Sequence, residues 1–395
     1  MYKRITSIVF GIFPLLSVYS FPNSSIDFGT LTIFILFLSG LNIKGIIDTK
    51  IRNWMICIIL FSIGMIFNIL YRDYSGIDVY LRALNLMVVP LMIFYLIVNR
   101  RIDFNVSIKS MKYLIQINTI IILIQIFLSK IGIYFQNGFV FLSKSSDYKD
   151  RIVTGPLRPS GIFLEPAHFI QYASILLIFT LFIRSKNSKI HFFIVMLGMF
   201  LTTSAQGYLN ITLVVVVYFL KKIIENNFSL KNILVVFSFC FIGLLFIFNL
   251  SMQGYFDFIV DRLFTDNASL GGNAIHARTS GYSILSNLKG YKFVFGNGLG
   301  NTINGIYSSG YVVLTWTTGI IGLITTILIS LINVNKNIFS VLVLIIFLFM
   351  MFFSQMFTAS SLAFYFGFAW WGTLNMDNKE NINDWHNHNK LQYME

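Results

Sequence analysis

Charge is scarce in this sequence. Only 11% of its 395 residues are Asp, Glu, Lys or Arg, where an ordinary soluble domain carries about 25%. With 56% of the residues hydrophobic, the chain lacks the polar surface of a water-soluble fold and reads as an integral membrane protein. Cysteine is almost absent as well. Cys57 and Cys240 both fall inside apolar runs, which argues against a disulfide framework or a cysteine metal site. Other absences remove whole chemistries. There is no glycine-lysine phosphate loop, no GxGxxG, no HExxH and no GxSxG, so nucleotide-driven transport and serine or zinc hydrolysis find no support. Asp-x-Asp pairs are missing, and Asp147, Asp150, Asp257, Asp261 and Asp266, assigned to the outer side, are scattered. No metal is expected. The chain shows no internal repeat and no matched pair of broken helices, which weakens a secondary-transporter reading.

What the chain has in quantity is long apolar runs. They predict an all-α polytopic integral membrane protein, a single membrane domain over residues 1–395 with about twelve transmembrane helices. The expected spans are 5–21, 28–43, 54–70, 79–98, 113–129, 162–183, 190–204, 207–220, 232–250, 311–332, 337–355 and 358–374. The basic N-terminus looks like a signal peptide, but with so many further spans it is read as an uncleaved first helix. Basic residues set the orientation. With the N-terminus inside, Arg100, Arg101, Lys109, Lys112, Lys221, Lys222 and Lys231 are cytoplasmic, and the short external loops hold only Arg72. The formal charge of +13 is taken up by such loops and implies no nucleic acid. Gln206-Gly207 is a very tight link between the seventh and eighth spans. One long or broken helix there would invert everything downstream and put Lys221, Lys222 and Lys231 outside, so the paired reading is preferred. Both termini, with a polar tail at 375–395, are then cytoplasmic, and two large loops, 130–161 and 251–310, face outward.

The stretch from Arg151 to Tyr172, RIVTGPLRPSGIFLEPAHFIQY, departs from this pattern. Two arginines, Arg151 and Arg158, run into an apolar segment carrying Glu165 and His168. Ionisable groups so close to a membrane are costly and mark a functional site by default. Arginine presents a planar fork that matches phosphate oxygens in two-point fashion. Arg151, Arg158, Arg262 and Arg278, all in the outer loops, together suit a pyrophosphate at the membrane surface. Lipid head groups and snorkelling are the plain alternative for any one of them. Arg82, one turn after Asp78 in the fourth span, either pairs with that carboxylate or joins the substrate-binding set. Glu165, His168 and His276 are the catalytic candidates, as bases for an attacking hydroxyl. Against them, Glu165-Pro166 could simply start a helix and pair with Arg158, and each histidine could make a structural hydrogen bond. In the second loop Ile275, Tyr282 and Leu285 have helical spacing, which predicts a short interfacial helix with His276 and Arg278 at its start. FGNGLG (295–300) reads as a glycine turn that lets backbone approach a ligand or another loop. His386 and His388 in the tail have no further ligand nearby.

RPSGIFLEPAHFIQY at an outward loop–helix junction resembles Wzy-type O-antigen (repeat-unit) polymerases. So does a second large loop in which an arginine-bearing helix leads to FGNGLG and then GYVVLTWTTGIIGL. The related O-antigen ligases share the late glycine pattern and the Arg/His-bearing loop. TTSAQGYLN (202–210) sits where such proteins often show a Ser-Arg pair, and here Gln206 stands instead. The resemblance implies a glycosyltransferase of the bacterial inner membrane that polymerises undecaprenyl-pyrophosphate-linked repeat units on the periplasmic side. It implies no cofactor. Its partners would be the lipid-linked glycan, membrane lipids, a chain-length regulator and a flippase. Arg158 and Arg278, backed by Arg151, Arg262 and Arg82, would hold the pyrophosphate, and Glu165 would serve as base or position the acceptor. The rivals are an O-antigen ligase and a polysaccharide flippase.

Overall fold

The computed structural model describes residues 1–20, 26–41, 45–70, 76–133, 136–139, 142, 158–183, 188–224, 281–301 and 308–372. Among them the regular structure is helical, apart from one isolated bridge between Ser20 and Asp27. The first helices are α1 (Tyr2–Leu16), α2 (Phe28–Gly40), α3 (Thr49–Leu70), α4 (Ile77–Val98) and α5 (Phe104–Lys130). Next come α6 (Pro166–Phe182), α7 (Ser188–Leu201), α8 (Ala205–Ile224) and the short α9 (Tyr291–Phe295). The last are α10 (Gly310–Asn333), α11 (Ile338–Phe353) and α12 (Ala359–Trp371). Four of these, α3, α4, α5 and α10, are long and apolar enough to cross a membrane. Every expected span within the described residues coincides with a helix, and the ninth, 232–250, lies outside them.

Local chemistry sets the helix starts. Asp27, Asp103, Asn337 and Thr358 each accept a hydrogen bond from a backbone N–H two or three residues on, capping α2, α5, α11 and α12. Pro166 takes the first turn of α6, where its missing N–H leaves nothing unsatisfied. The bundle centre is aromatic. α12 is buried continuously from Leu362 to Trp371, as an all-round apolar helix must be. Phe10 of α1 packs on Phe364 and Phe368, and Phe94 of α4 closes on Trp370. On the outer faces of α3, α5 and α10, Ile59, Phe127 and Ile332 are exposed, as lipid-facing side chains would be.

The seventh and eighth spans are two separate helices, and the reversal between them falls at 202–204, with Gln206-Gly207 already in the first turn of α8. Asn210 of α8 bonds Ser174 of α6, and Tyr218 of α8 packs on Phe182 at the far end of α6, so these two run parallel. α6 and α7 are joined by a short connection across which Ser188 donates to the carbonyl of Thr180, so α7 runs the other way. α1, α3, α5, α7 and α11 therefore finish at one end of the bundle, called upper below, where α2, α4, α6, α8, α10 and α12 begin.

The FGNGLG turn is a packing device. α10 breaks at Gly319, whose φ is +66° and whose Cα lies so close to α9 that an added Cβ would stand 2.2 Å from the Val294 carbonyl oxygen. The backbone after α9 docks into that break, with Asn297 N–H donating to the Trp316 carbonyl (2.8 Å) and Asn68 Nδ2 to that of Gly296 (3.1 Å). The close approach expected of these glycines, to a ligand or another loop, is made instead to α10, α3 and, at Gly300, α4. Residues 281–284 are helical, and Ser309 donates to the Tyr282 hydroxyl (3.2 Å), fixing the end of the second loop over α10.

Candidate functional site

The expected sixth span begins later than its hydropathy suggests, because the residues before Pro166 form an irregular, largely buried segment that turns at 160–163. Asn137 Nδ2 donates to the Arg158 carbonyl (2.8 Å) and its Oδ1 accepts from Ser160 N–H (3.0 Å). Gln125 Oε1 accepts from Gly161 N–H (2.9 Å), and Asn118 Oδ1 from Ile162 N–H (2.8 Å). Tyr19 donates to the Ile162 carbonyl and accepts from Phe139 N–H (3.2 Å). Asn118 lies about 18 Å below the end of α5, by the helical rise, so the chain descends deep into the bundle before α6 starts. Irregular backbone at such depth needs side-chain partners for its polar groups. Asn118, Gln125 and Asn137 supply them.

The upper end is recessed where α6 starts, and a cavity of about 380 Å³ opens there. Its walls come from the end of α1, the starts of α2, α6 and α12, and Asn85 of α4. Asp27, His168, Gln171, Gln355 and Ser360 supply polar groups to it, while Tyr172 and Phe364, stacked on each other with ring centroids 5.8 Å apart, supply an apolar wall. Asp27 Oδ1 is fixed by Thr30 N–H (2.6 Å), and Asn85 Oδ1 accepts from the Thr30 hydroxyl (3.1 Å). The side-chain amides of Gln171 and Gln355 make no hydrogen bond among the described residues, and His168 Nδ1 is buried without a partner. No lysine or arginine is among the described residues that line the cavity.

Of the residues expected from the sequence that are among the described residues, His168 alone lines this cavity. Glu165 caps α6 without a side-chain cap bond and lies within electrostatic reach of His168, as their shared helix turn implies. Arg158 is half-buried at the start of the irregular segment, with its charge near Tyr208 of α8. Arg82 is exposed on α4, one turn above Asn85, and no ion pair joins it to Asp78. The helical spacing allowed that pair without requiring it, since an exposed ion pair gains little against side-chain entropy. Gln206 is buried and accepts from Ser354 Oγ (2.6 Å). Arg151, Arg262, His276, Arg278, His386, His388 and Cys240 lie outside the described residues. Sequence reasoning missed Asp27, Asn85, Gln171 and Gln355. Asp27 sits in a short connection and gives only the signal of a helix cap; the amides carry no motif at all. Compared with known proteins, the chain matches no family model and no curated sequence.

Proposed function

We propose that this chain is a glycosyltransferase of the bacterial inner membrane, with about twelve spans and both termini cytoplasmic, that polymerises undecaprenyl-pyrophosphate-linked repeat units on the periplasmic side. The observation that carries this reading is the recessed cavity with a wall rich in hydroxyls and amides, beside an irregular, largely buried segment that leads from Arg158 to Glu165. Hydroxyls and amides both donate and accept, which suits a polyhydroxylated ligand. The resemblance of RPSGIFLEPAHFIQY and FGNGLG to Wzy-type polymerases points the same way.

In the reaction, a hydroxyl oxygen of the acceptor sugar attacks the anomeric carbon of the donor glycan. The anomeric C–O bond to the lipid diphosphate breaks, its electron pair leaves with the diphosphate, and the hydroxyl proton passes to a base. Negative charge grows on the departing diphosphate, so arginines stabilise the transition state more than the ground state. Arg158 and Arg278 take that role, with Arg151, Arg262 and Arg82 behind them. Glu165 serves as base or positions the acceptor, with His168 one turn on in the cavity wall.

The test is a lipopolysaccharide ladder from a deletion strain carrying the wild-type chain or Arg158→Ala, Arg278→Ala or Glu165→Ala. The wild type restores the ladder, and each arginine variant shortens it, through a rate loss of about a hundredfold. Normally expressed variants that all gave full ladders would overturn this site. The deletion strain itself accumulates single-repeat lipopolysaccharide; loss of all surface glycan would identify a ligase or a flippase.

A further inference from the structure

We infer that the opposite end of the bundle from the cavity carries a site for the phosphate of an anionic phospholipid, made by Arg100 and Arg101 after α4 with Lys3 and Arg4 of α1. The site stands whether or not the chain is a polymerase.

α4 closes in a turn that fixes two arginines. Arg100 N–H donates to the Ile97 carbonyl (2.9 Å) and Arg101 N–H to that of Leu96 (2.8 Å), the paired bonds of a helix end closed by a left-handed residue. That residue is Arg100, with a φ of +55°. Glycine would close the same turn without strain, so the turn itself does not account for an arginine there. Arg101 is held against α1. Its guanidinium lies over the Tyr2 ring, 5.7 Å from the centroid, with Nε buried and unpartnered. Tyr2 is pinned in turn, its hydroxyl donating to the Leu36 carbonyl of α2. Asp103 N–H donates to Ser7 Oγ (2.8 Å) and Ser107 Oγ to the Ser7 carbonyl (2.8 Å), which locks the link between α4 and α5 onto α1. Arginines placed in advance lose little further freedom when a ligand arrives.

With Nε sealed against Tyr2, the two Nη groups form the outward edge of the Arg101 fork, the geometry that takes two phosphate oxygens. Arg100, Lys3 and Arg4 are exposed beside it. The nearby carboxylate, Asp103, is already engaged, by Lys3 Nζ (3.9 Å) and by the Asn105 N–H that it caps. α4 is long and apolar enough to cross a membrane and ends at Val98, so Arg100 and Arg101 follow it at the level of the head groups, where Tyr2 is also at home. The phosphate at that depth is a lipid's, and basic residues there gain from anionic head groups. A helix C-terminus favours cations by itself, but that explains neither the left-handed arginine nor the stacking on Tyr2.

The experiment titrates the purified full-length chain in detergent with phosphatidylglycerol or phosphatidylethanolamine and counts bound lipid by native mass spectrometry. Phosphatidylglycerol saturates a site about tenfold more tightly than phosphatidylethanolamine does. Arg101→Ala weakens it about tenfold, and Arg101→Lys, which keeps the charge and loses the fork, roughly three- to fivefold. Arg100→Gly suits the positive φ, so it weakens the lipid about fivefold without lowering the Tm. A residue that only closed the turn would not give that split. Lys336→Ala, which removes an exposed cation at the same end, leaves binding within about twofold. Equal binding of the two lipids, or equal losses in Lys336→Ala and Arg101→Ala, overturns the inference. Inorganic phosphate at the lipid's concentration leaves the lipid bound; its displacement would overturn the lipid assignment and make the site one for free phosphate.

Discussion

Gly161 has a φ of +65°, and a Cβ added there would stand 2.2 Å from Asn118 Oδ1. Both facts follow from one arrangement, the backbone of 160–162 pressed onto amide side chains of α5. Gly161→Ala is expected to cost about 1–3 kcal/mol through backbone strain and displacement of the Ile162 contact. It is read as a lower Tm of the detergent-solubilised protein. Asn118→Leu removes the partner of the buried Ile162 N–H and is expected to cost a similar amount, again about 1–3 kcal/mol. An unchanged Tm in both would mean that these amides do not hold the segment. At this scale the sequence was legible where a residue is chemically conspicuous. Arg158, Glu165 and His168 drew notice because charge is costly beside apolar runs. Asn118 and Gln125 did not, since an amide inside a span has no signature until its partner, dozens of positions later, is placed next to it. Asp27 was hidden for the opposite reason, having an adequate local account as a helix cap.

Element boundaries were legible wherever hydropathy alone decides them, as for α4, expected at 79–98 and found at Ile77–Val98. They failed where a tertiary partner intervenes. α6 starts four residues after its expected 162 because side chains of α5 hold the preceding backbone in a non-helical turn. α10 reads as one uninterrupted span because glycine is ordinary in such helices, and only the docked turn reveals the break at Gly319. Gly319→Ala forces a Cβ against the Val294 carbonyl and a positive φ on alanine. The expected result is release of α9 and its glycine turn, seen as faster tryptic cleavage after Lys289 and Lys292 in the membrane-embedded protein. Asn68→Ala, which deletes one bond to that turn, gives a smaller increase. Cleavage rates equal to wild type in both would show that the break in α10 does not anchor the turn.

On the scale of the whole molecule, the two ends of the bundle differ in kind. The upper end gathers the irregular segment, the cavity and the glycine turn. The lower end gathers Lys50, Arg100, Arg101 and Lys336 around the ends of α4 and α12 and the start of α11, with Lys50 donating to the Trp370 carbonyl. Basic residues concentrate on the cytoplasmic side of membrane proteins, and by that rule the proposed function puts the cavity end on the periplasmic side. Thiol labelling tests this with a chain in which Cys57 and Cys240 are replaced by Ala. Gln355→Cys, in the cavity wall, and Asn297→Cys, in the turn, react with a membrane-impermeant maleimide added to intact spheroplasts. Lys336→Cys reacts only after the membrane is opened. α8 ends at the lower end and α10 begins at the upper, so Asn297 and Gln355 must report the same side. Opposite labelling of those two would break the antiparallel pairing of α10 with α11 that sets Asn297 and Gln355 at one end. Labelling of both from the cytoplasmic side alone would keep the fold and place the cavity where no periplasmic glycan reaches it.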